Sequence, residues 1–243
     1  MAADSIARIL LVEDDPTTSA FLVTAARGVP AEVDAVGDCA GARLRARAGG
    51  HDLWLVDANL PDGDGAGLLA WLRARGLRTP ALAHTADGDP AVAAALRAAG
   101  FLDVLVKPIT ISGLQLAVRS TLGIGTAHVA PRVAEVAPFA GTWDDTTALA
   151  ALNGERAHVE ALRRLFLAEL PAIRDAVRDA VLAGDDDALR AALHRLRASC
   201  GFVGAARLAG AVVALQAAPA SGSALAGFLD AAQDALSSSA SGA

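Results

Sequence analysis

The sequence contains no tyrosine, a single methionine, two cysteines and no long uninterrupted apolar run. Cys39 and Cys200 are too few and too far apart for a disulfide framework or a metal knuckle, so we expect both to be buried small residues. Since no stretch of about 18 apolar residues occurs, no segment is predicted to span a membrane. The N-terminus, MAADSIA, lacks the basic and apolar regions of an export signal, which favours a cytoplasmic protein.

Basic clusters are equally scarce. The net charge is -6, and no block of Lys and Arg with interleaved aromatic residues occurs, so the sequence does not favour nucleic-acid binding. Hydrophobic residues, by contrast, make up 53% of the chain, mainly as alanine, leucine and valine. This composition is typical of a globular, helix-rich protein, and 243 residues are enough for two domains that each bury a core.

The first half of the chain alternates short apolar runs with segments of helical periodicity. The runs are too short for helices and too apolar for strands with one exposed face, so they predict a parallel sheet covered on both faces. The predicted strands are 9–12, 33–36, 53–56, 81–83 and 104–106, and the predicted helices are 17–27, 39–48, 65–75, 90–99 and 111–122. Five such units predict a doubly wound, flavodoxin-like α/β domain.

The second half of the chain is predicted to be helical throughout. The helical segments are 145–152, 155–183 with a kink or break at Pro171, 186–200, 204–217 and 223–236. Gly184, the turn 201–204 and the stretch 219–222 separate them, and such short connections predict an antiparallel four-helix bundle. The resulting organisation is an α/β domain over 1–123, a linker over 124–142, a helical domain over 143–237 and a disordered tail over 238–243.

Polar side chains follow the predicted strands of the first domain at the points where the strands end. In parallel α/β sheets, sites form outside the carboxyl ends of the strands, so these side chains are expected to converge. Clustered carboxylates repel each other unless a hard dication such as Mg²⁺ lies among them. A carboxylate in such a site can attack a phosphoryl group while the metal, a lysine and a hydroxyl stabilise its oxygens. The residues at this edge are Glu13, Asp14, Asp15, Asp57, Thr85 and Lys107.

Four segments at these strand ends, LLVEDDP, VDANLPDGDG, HTAD and LVKP, resemble the receiver family of bacterial response regulators over about residues 6–122. The resemblance implies that Asp57 is the phosphoacceptor and that Thr85 and Lys107 contact the phosphoryl group. It also implies a Mg²⁺ site. The implied metal ligands are Glu13, Asp14, Asp57 and the backbone carbonyl of Asn59.

The acidic pair of this site can be chosen in two ways, as Glu13 with Asp14 or as Asp14 with Asp15. The spacing to Asp57 in the receiver family favours Glu13 and Asp14. Asp15 is then expected to be the N-terminal residue of the first helix.

One position departs from the receiver pattern. Many receivers carry Tyr or Phe three residues before the lysine, where the ring moves inward when the threonine closes on phosphate, but this chain has Val104 there. Phe101 lies nearby at a position that is usually small, so it is a poor substitute. We therefore expect phosphate transfer to matter more in this protein than a large conformational output.

In the second domain, the candidate functional residue is His194 on the predicted helix 186–200. Leu189, Leu193, Leu196 and Cys200 recur at spacings of 4, 3 and 4 and form the predicted buried seam. His194 lies just off this seam, beside small and arginine side chains. Small neighbours leave the imidazole clear for docking. The arginines disfavour the imidazolium and attract phosphate, which keeps a neutral nucleophile near neutral pH.

The stretch HRLRASCGFVGAARL resembles the histidine phosphotransfer family, and the resemblance covers roughly residues 143–236. It implies that His194 is the phosphorylated histidine and that Arg197 is the neighbouring basic residue. Ala198 stands where glycine is common, which still preserves clearance around the imidazole. The remaining histidines, His51, His84, His128 and His158, lack comparable surroundings and are assigned no function.

Together the two resemblances predict a phosphorelay intermediate that is not itself an enzyme. Asp57 accepts a phosphoryl group from a phosphohistidine, and His194 exchanges one with a receiver aspartate. The implied partners are a sensor histidine kinase and other receiver or phosphotransfer proteins. One alternative is an interaction module in which the receiver controls a partner contact of the bundle independently of His194. A second alternative is a phosphatase that acts on a partner's aspartyl phosphate. It is weaker, because no acid or amide that could orient water is evident beside His194.

Overall fold

The computed structural model of the chain describes residues 6–107, 109–124, 141–152 and 154–238. The chain divides into two compact units, Met1–Arg132 and Val133–Ala243. Most of the predicted linker 124–142 and of the predicted tail 238–243 lies outside the described residues, as does His128. Among the described helices, none is long and apolar enough to cross a membrane.

The first unit is the predicted α/β fold. The strands of its main sheet are β1 (Ala7–Val12), β2 (Ala31–Val36), β3 (Leu53–Asp57), β6 (Ala81–Thr85) and β7 (Asp103–Val106). All of them are parallel, and they lie in the order β2-β1-β3-β6-β7, which is a doubly wound order. The helices are α1 (Pro16–Ala26), α2 (Cys39–Ala48), α3 (Gly65–Ala74), α4 (Pro90–Ala98) and α5 (Ile111–Leu122).

Burial explains why the short apolar runs form this sheet. Every residue of the central strands β3 and β6 is buried, as expected of strands with helices on both faces. The edge strand β2 is only partly buried. The carboxyl ends of β1, β3, β6 and β7 therefore lie at one edge of the sheet, where the chain leaves the core.

A two-residue hairpin that the sequence did not predict follows β3. It consists of β4 (Asn59–Leu60) and β5 (Gly63–Asp64), which pair antiparallel. The carboxylate of Asp62, in the turn between them, accepts hydrogen bonds from the backbone N–H groups of Cys39 and Ala40 at 2.7 and 3.0 Å. These N–H groups belong to the free N-terminus of α2, so Asp62 ties the loop after β3 to a neighbouring helix.

The second unit is helical, as predicted. It contains the short helix α6 (Asp145–Ala151) and the longer helices α7 (Arg156–Ala183), α8 (Asp186–Val203), α9 (Ala206–Ala217) and α10 (Gly222–Ser238). The four long helices pack in sequence, and α10 returns to contact α7. Their shared core is made of large buried side chains, namely Phe166, Leu170, Leu196, Phe202 and Phe228.

Two predicted details of this unit need comment. A kink or break was predicted at Pro171, and helix α7 is not broken there, because buried residues on both sides, such as Leu170 and Val177, hold the helix against the core despite one lost hydrogen bond. Helix α8 continues through Gly201 and ends at Val203, because this extra turn buries Phe202 and Val203 completely.

Gly204 ends α8 in the left-handed conformation at a close contact with the backbone. Its φ is +71°, and a Cβ added there would lie 2.3 Å from the carbonyl oxygen of Asp144. The carbonyl oxygen of Gly204 also accepts a hydrogen bond from the N–H of Asp144. Gly184 ends α7 with a similar φ of +67° but would have no atom within 4 Å of an added Cβ.

This pair of glycines gives a matched test of the close contact. Gly184→Ala should destabilise the second unit by about 1 kcal/mol, the cost of a left-handed alanine. Gly204→Ala should cost about 1–3 kcal/mol more, because the carbonyl of Asp144 has to move. Hydrogen exchange of the α8 amides measures both free energies of opening, and equal effects would contradict the contact.

Candidate functional site

Four side chains predicted to converge do lie at the carboxyl edge of the sheet. Glu13 follows β1, Asp57 ends β3, Thr85 ends β6 and Lys107 follows β7. All four are buried although all are polar, with at most 7% of any residue exposed. Buried polar groups of this kind need partners, so the contacts among them define the site.

The ammonium group of Lys107 holds the two carboxylates together. Its Nζ lies 2.6 Å from Oδ2 of Asp57 and 2.8 Å from Oε2 of Glu13. Both contacts are charge-assisted hydrogen bonds inside the protein, where they are stronger than in water. Lys107 is fixed in turn by its backbone N–H, which donates to the carbonyl oxygen of Thr85 at 2.7 Å.

His84 is a member of this cluster that the sequence did not reveal. It is the register partner of Asp57 on the adjacent strand β6, and it is completely buried. Its Nδ1 lies 3.5 Å from Oε2 of Glu13 and 3.6 Å from Oδ2 of Asp57. The pairing of β6 with β3 places His84 beside Asp57. The register of that pairing is not evident from the sequence.

Burial and charge shift the pKa values of Glu13, Asp57 and Lys107. Burial raises the pKa of Glu13 well above its usual value, although the Lys107 ammonium opposes this. Burial also opposes ionisation of Asp57, but its neighbours His84 and Lys107 together hold its pKa below the usual value. Burial lowers the pKa of Lys107, but Glu13 and Asp57 outweigh this and raise it to about 12. Without a further cation, Glu13 is therefore the carboxyl that tends to keep its proton.

The remaining residues predicted for this site lie around the cluster. The backbone N–H of Asn59 donates to Oδ1 of Asp57 at 2.9 Å, which fixes the second carboxylate oxygen. The hydroxyl of Thr85 accepts from the N–H of Asp87 at 3.1 Å. Asp14 is half-buried and is not part of the group formed by Glu13, Asp57 and His84, whose donor atoms all lie within 4.8 Å of one another.

Asp15 has the structural position predicted for it. It is the N-terminal cap of α1, and its Oδ1 accepts a hydrogen bond from the N–H of Thr18 at 2.7 Å. A carboxylate used in this way satisfies a free N–H group at the helix start.

The donor set of the cluster fits a divalent cation. Two buried carboxylates face a single ammonium, so one negative charge remains uncompensated when both are ionised. The nearby imidazole has no hydrogen-bond partner among the described residues. A dication would offset the remaining negative charge and provide a partner for the imidazole, so the residues Glu13, Asp57 and His84 form a group that could hold a metal ion.

In the second unit, the predicted seam of α8 is buried as expected. Leu189, Leu193, Leu196 and Cys200 are all at most 3% exposed. His194 is half-buried beside this seam, while Arg190 and Arg197 are exposed. Ala198 is buried and Gly201 half-buried, so small side chains lie one turn or two turns beyond the imidazole. Arg190 forms an ion pair with Asp187 at 2.7 Å.

Comparison with known families explains both units. A family model for the response regulator receiver domain matches residues 9–119. The two-component response regulator ORR41 from Oryza sativa subsp. japonica is 34% identical over 112 residues, which are 44% of this chain and 88% of that protein. The chain belongs to the response regulator receiver family. A second family model, for the Hpt domain, matches residues 161–240, so the receiver domain is followed by an Hpt domain.

Two of the curated relatives are much longer than this chain. The signal transduction histidine-protein kinase BarA of Escherichia coli K12 is 28% identical over 82% of this chain, but the match covers 22% of BarA. The transcription factor prr1 of Schizosaccharomyces pombe is 34% identical over 57% of this chain and 26% of its own length. This receiver and Hpt pair thus spans about a quarter of the first curated relatives that it matches.

Solved receiver structures are also similar to the first domain. The chemotaxis response regulator CheY4 of Vibrio cholerae is 23% identical, and the match covers 49% of this chain and all of that one, with a TM-score of 0.46.

The buried imidazole of the receiver gives a prediction for acid stability. Burial and the Lys107 charge lower the pKa of His84 from 6.5 to about 3, so between these values the unfolded chain binds a proton that the folded one does not. The contribution of His84 to stability therefore falls as the pH falls below 6.5. Between pH 7 and pH 5 the free energy of unfolding of the receiver should fall by about 2 kcal/mol more in the parent chain than in His84→Gln.

Urea unfolding with a chelator present measures this difference. In a Trp143→Phe background the two remaining tryptophans, Trp54 and Trp71, lie in the receiver and report its unfolding alone. Parallel pH profiles for the parent and His84→Gln would contradict the buried neutral imidazole.

Proposed function

We propose that this protein is a phosphorelay intermediate. Asp57 of the receiver accepts a phosphoryl group from a phosphohistidine donor, and His194 of the Hpt domain exchanges a phosphoryl group with a receiver aspartate. The observation that carries the proposal is the Lys107 ammonium, which bridges the buried carboxylates of Asp57 and Glu13 at the carboxyl edge of a parallel sheet.

Asp57 is prepared for attack on phosphorus. Its lowered pKa keeps it ionised, and the N–H of Asn59 and the ammonium of Lys107 fix its two oxygens in place. In the transfer, an oxygen of Asp57 forms a bond to phosphorus while the bond from phosphorus to the donor imidazole nitrogen breaks. The donor keeps the electron pair of that bond and takes up a proton. Lys107 and the Thr85 hydroxyl stabilise the charge on the phosphoryl oxygens.

Mg²⁺ is the cofactor that receiver domains generally use, and the acidic edge of the sheet supports its use here. The residues that would hold it are Glu13, Asp14, Asp57 and the backbone carbonyl of Asn59. When bound, the ion neutralises charge on the phosphoryl oxygens. Because burial leaves Glu13 with a raised pKa, metal binding at this site would release the proton that Glu13 holds.

His194 is suited to carry a phosphoryl group on the Hpt domain. The half-buried imidazole is positioned by the buried seam of α8 below it, while the small residues Ala198 and Gly201 leave room for an incoming receiver. The exposed guanidinium of Arg197 lies one turn further along the helix, where it can attract phosphoryl oxygens.

The partners in this proposal are sensor histidine kinases and other receiver or phosphotransfer proteins. The similarity to BarA and to the sensor histidine kinase GacS of Pseudomonas protegens, which extends over 82% and 83% of this chain, supports that assignment. We further propose the division into a receiver over 1–123, a linker over 124–142, an Hpt domain over 143–237 and a tail over 238–243. A cytoplasmic location fits all these roles.

Transfer of radiolabel tests the two sites separately. A phosphorylated kinase of this class should label the receiver of the parent chain and of His194→Gln, but not that of Asp57→Asn, because only the last lacks the attacking carboxylate. A phosphorylated Hpt donor or receiver partner should label the Hpt domain of Asp57→Asn, but not that of a chain carrying both Asp57→Asn and His194→Gln.

Two variants serve as matched controls. Glu32→Gln removes an exposed carboxylate on β2, and His158→Gln removes an exposed histidine on α7, so both should be labelled like the parent. Labelling of the Asp57→Asn receiver, or of an Hpt domain without His194, would contradict the assignment. Unchanged partner regulation in a His194→Gln chain would favour the interaction module instead.

The valine at position 104 leads to a further prediction. Val104 is buried in the receiver core. At this position the chain has no aromatic ring that could swing between two positions. Beryllofluoride, a phosphate mimic, should therefore change hydrogen exchange little in β6, β7 and α4. Val104→Tyr supplies the missing ring and is the matched comparison. Extensive loss or gain of protection throughout these elements in the parent chain would contradict a small conformational output.

A further inference from the structure

His84 is a completely buried imidazole whose two nitrogens have no hydrogen-bond partner among the described residues. Leaving a buried polar group without a hydrogen-bond partner destabilises the folded state. A group that binds the imidazole would account for this arrangement.

The position of Nδ1 identifies what that group could be. Its distances of 3.5 and 3.6 Å to Oε2 of Glu13 and Oδ2 of Asp57 are too long for good hydrogen bonds. They match the separation of neighbouring ligands around one metal ion, which is about 3.4 Å for a tetrahedral angle and metal–ligand bonds near 2.1 Å. Nδ1 therefore lies at such a distance from each carboxylate oxygen, and the donor atoms of the three residues all lie within 4.8 Å of one another.

The chemistry of the imidazole also suits a ligand, because a neutral imidazole nitrogen offers a lone pair to a metal. Imidazole nitrogen favours first-row transition ions, whereas Mg²⁺ favours oxygen ligands alone.

We propose that the acidic pocket of this receiver is a mixed oxygen and nitrogen site, in which Nδ1 of His84 joins Glu13 and Asp57 as a ligand and selects a divalent transition ion over Mg²⁺. This inference rests on the proposed function, since it concerns the ion used at the same phosphoacceptor site. The Lys107 ammonium touches the same two carboxylate oxygens, so binding of either ion competes with that contact. This competition weakens the binding of Mg²⁺ and of transition ions alike, so it does not change the ratio of their affinities.

Calorimetric titration of the full chain with Co²⁺ and with Mg²⁺ tests the selection. In His84→Leu the Co²⁺ affinity should fall by about tenfold or more, while the Mg²⁺ affinity changes less than about twofold. His158→Gln, which removes an exposed histidine, should bind both ions like the parent. An equal change of the two affinities, or no change of either, would overturn the proposal.

A spectroscopic measurement on the unaltered chain avoids dependence on the variant's folding. With Co²⁺ bound, the proton NMR spectrum should contain a strongly shifted, exchangeable imidazole N–H resonance, which disappears in His84→Leu and in His84→Gln. Absence of this resonance from the parent spectrum overturns the nitrogen ligand.

Transfer of radiolabelled phosphate to Asp57, measured with Mg²⁺ present, separates this inference from the proposed function. Labelling of Asp57 without the shifted imidazole resonance refutes the nitrogen ligand alone. The resonance without any labelling of Asp57 refutes the phosphoacceptor role alone.

Discussion

The receiver site depends on one charge balance, that of a single ammonium between two buried carboxylates. Lys107 contacts Asp57 at 2.6 Å and Glu13 at 2.8 Å, and all three side chains are withdrawn from water. In such a place neither carboxylate could remain ionised without a cation, and Lys107 supplies only one positive charge. This deficit supports the proposal that the pocket takes a dication, which would then favour a negatively charged phosphoryl group at Asp57, the proposed phosphoacceptor.

Much of this arrangement could be predicted from the sequence because it depends on local patterns. Short apolar runs before helical periods predicted all five strands of the main sheet, and Asp57, Thr85 and Lys107 were found simply as the polar residues that end them. Parallel topology then brings such ends to one edge. The cap at Asp15 was predictable for a similar reason, because capping is decided within a few residues.

The features that could not be predicted depend on contacts between distant parts of the chain. His84 reaches the site because β6 pairs with β3 in one particular register, and a shift of one residue would turn its side chain to the other face. Asp62 ties its loop to α2, 23 residues away, through N–H groups of Cys39 and Ala40. In the Hpt domain, core packing likewise overrides the local signals of Pro171 and Gly201, both of which lie inside helices.

The identity of the phosphorylated atom is the most direct test of the account. After incubation with a phosphodonor, reduction by borohydride converts a β-aspartyl phosphate to homoserine, and peptide mass spectrometry locates the altered residue. The account predicts homoserine at position 57, adjacent to the Lys107 ammonium. Homoserine in place of another aspartate would contradict it. So would a folded chain that a competent donor phosphorylates only at residues other than Asp57.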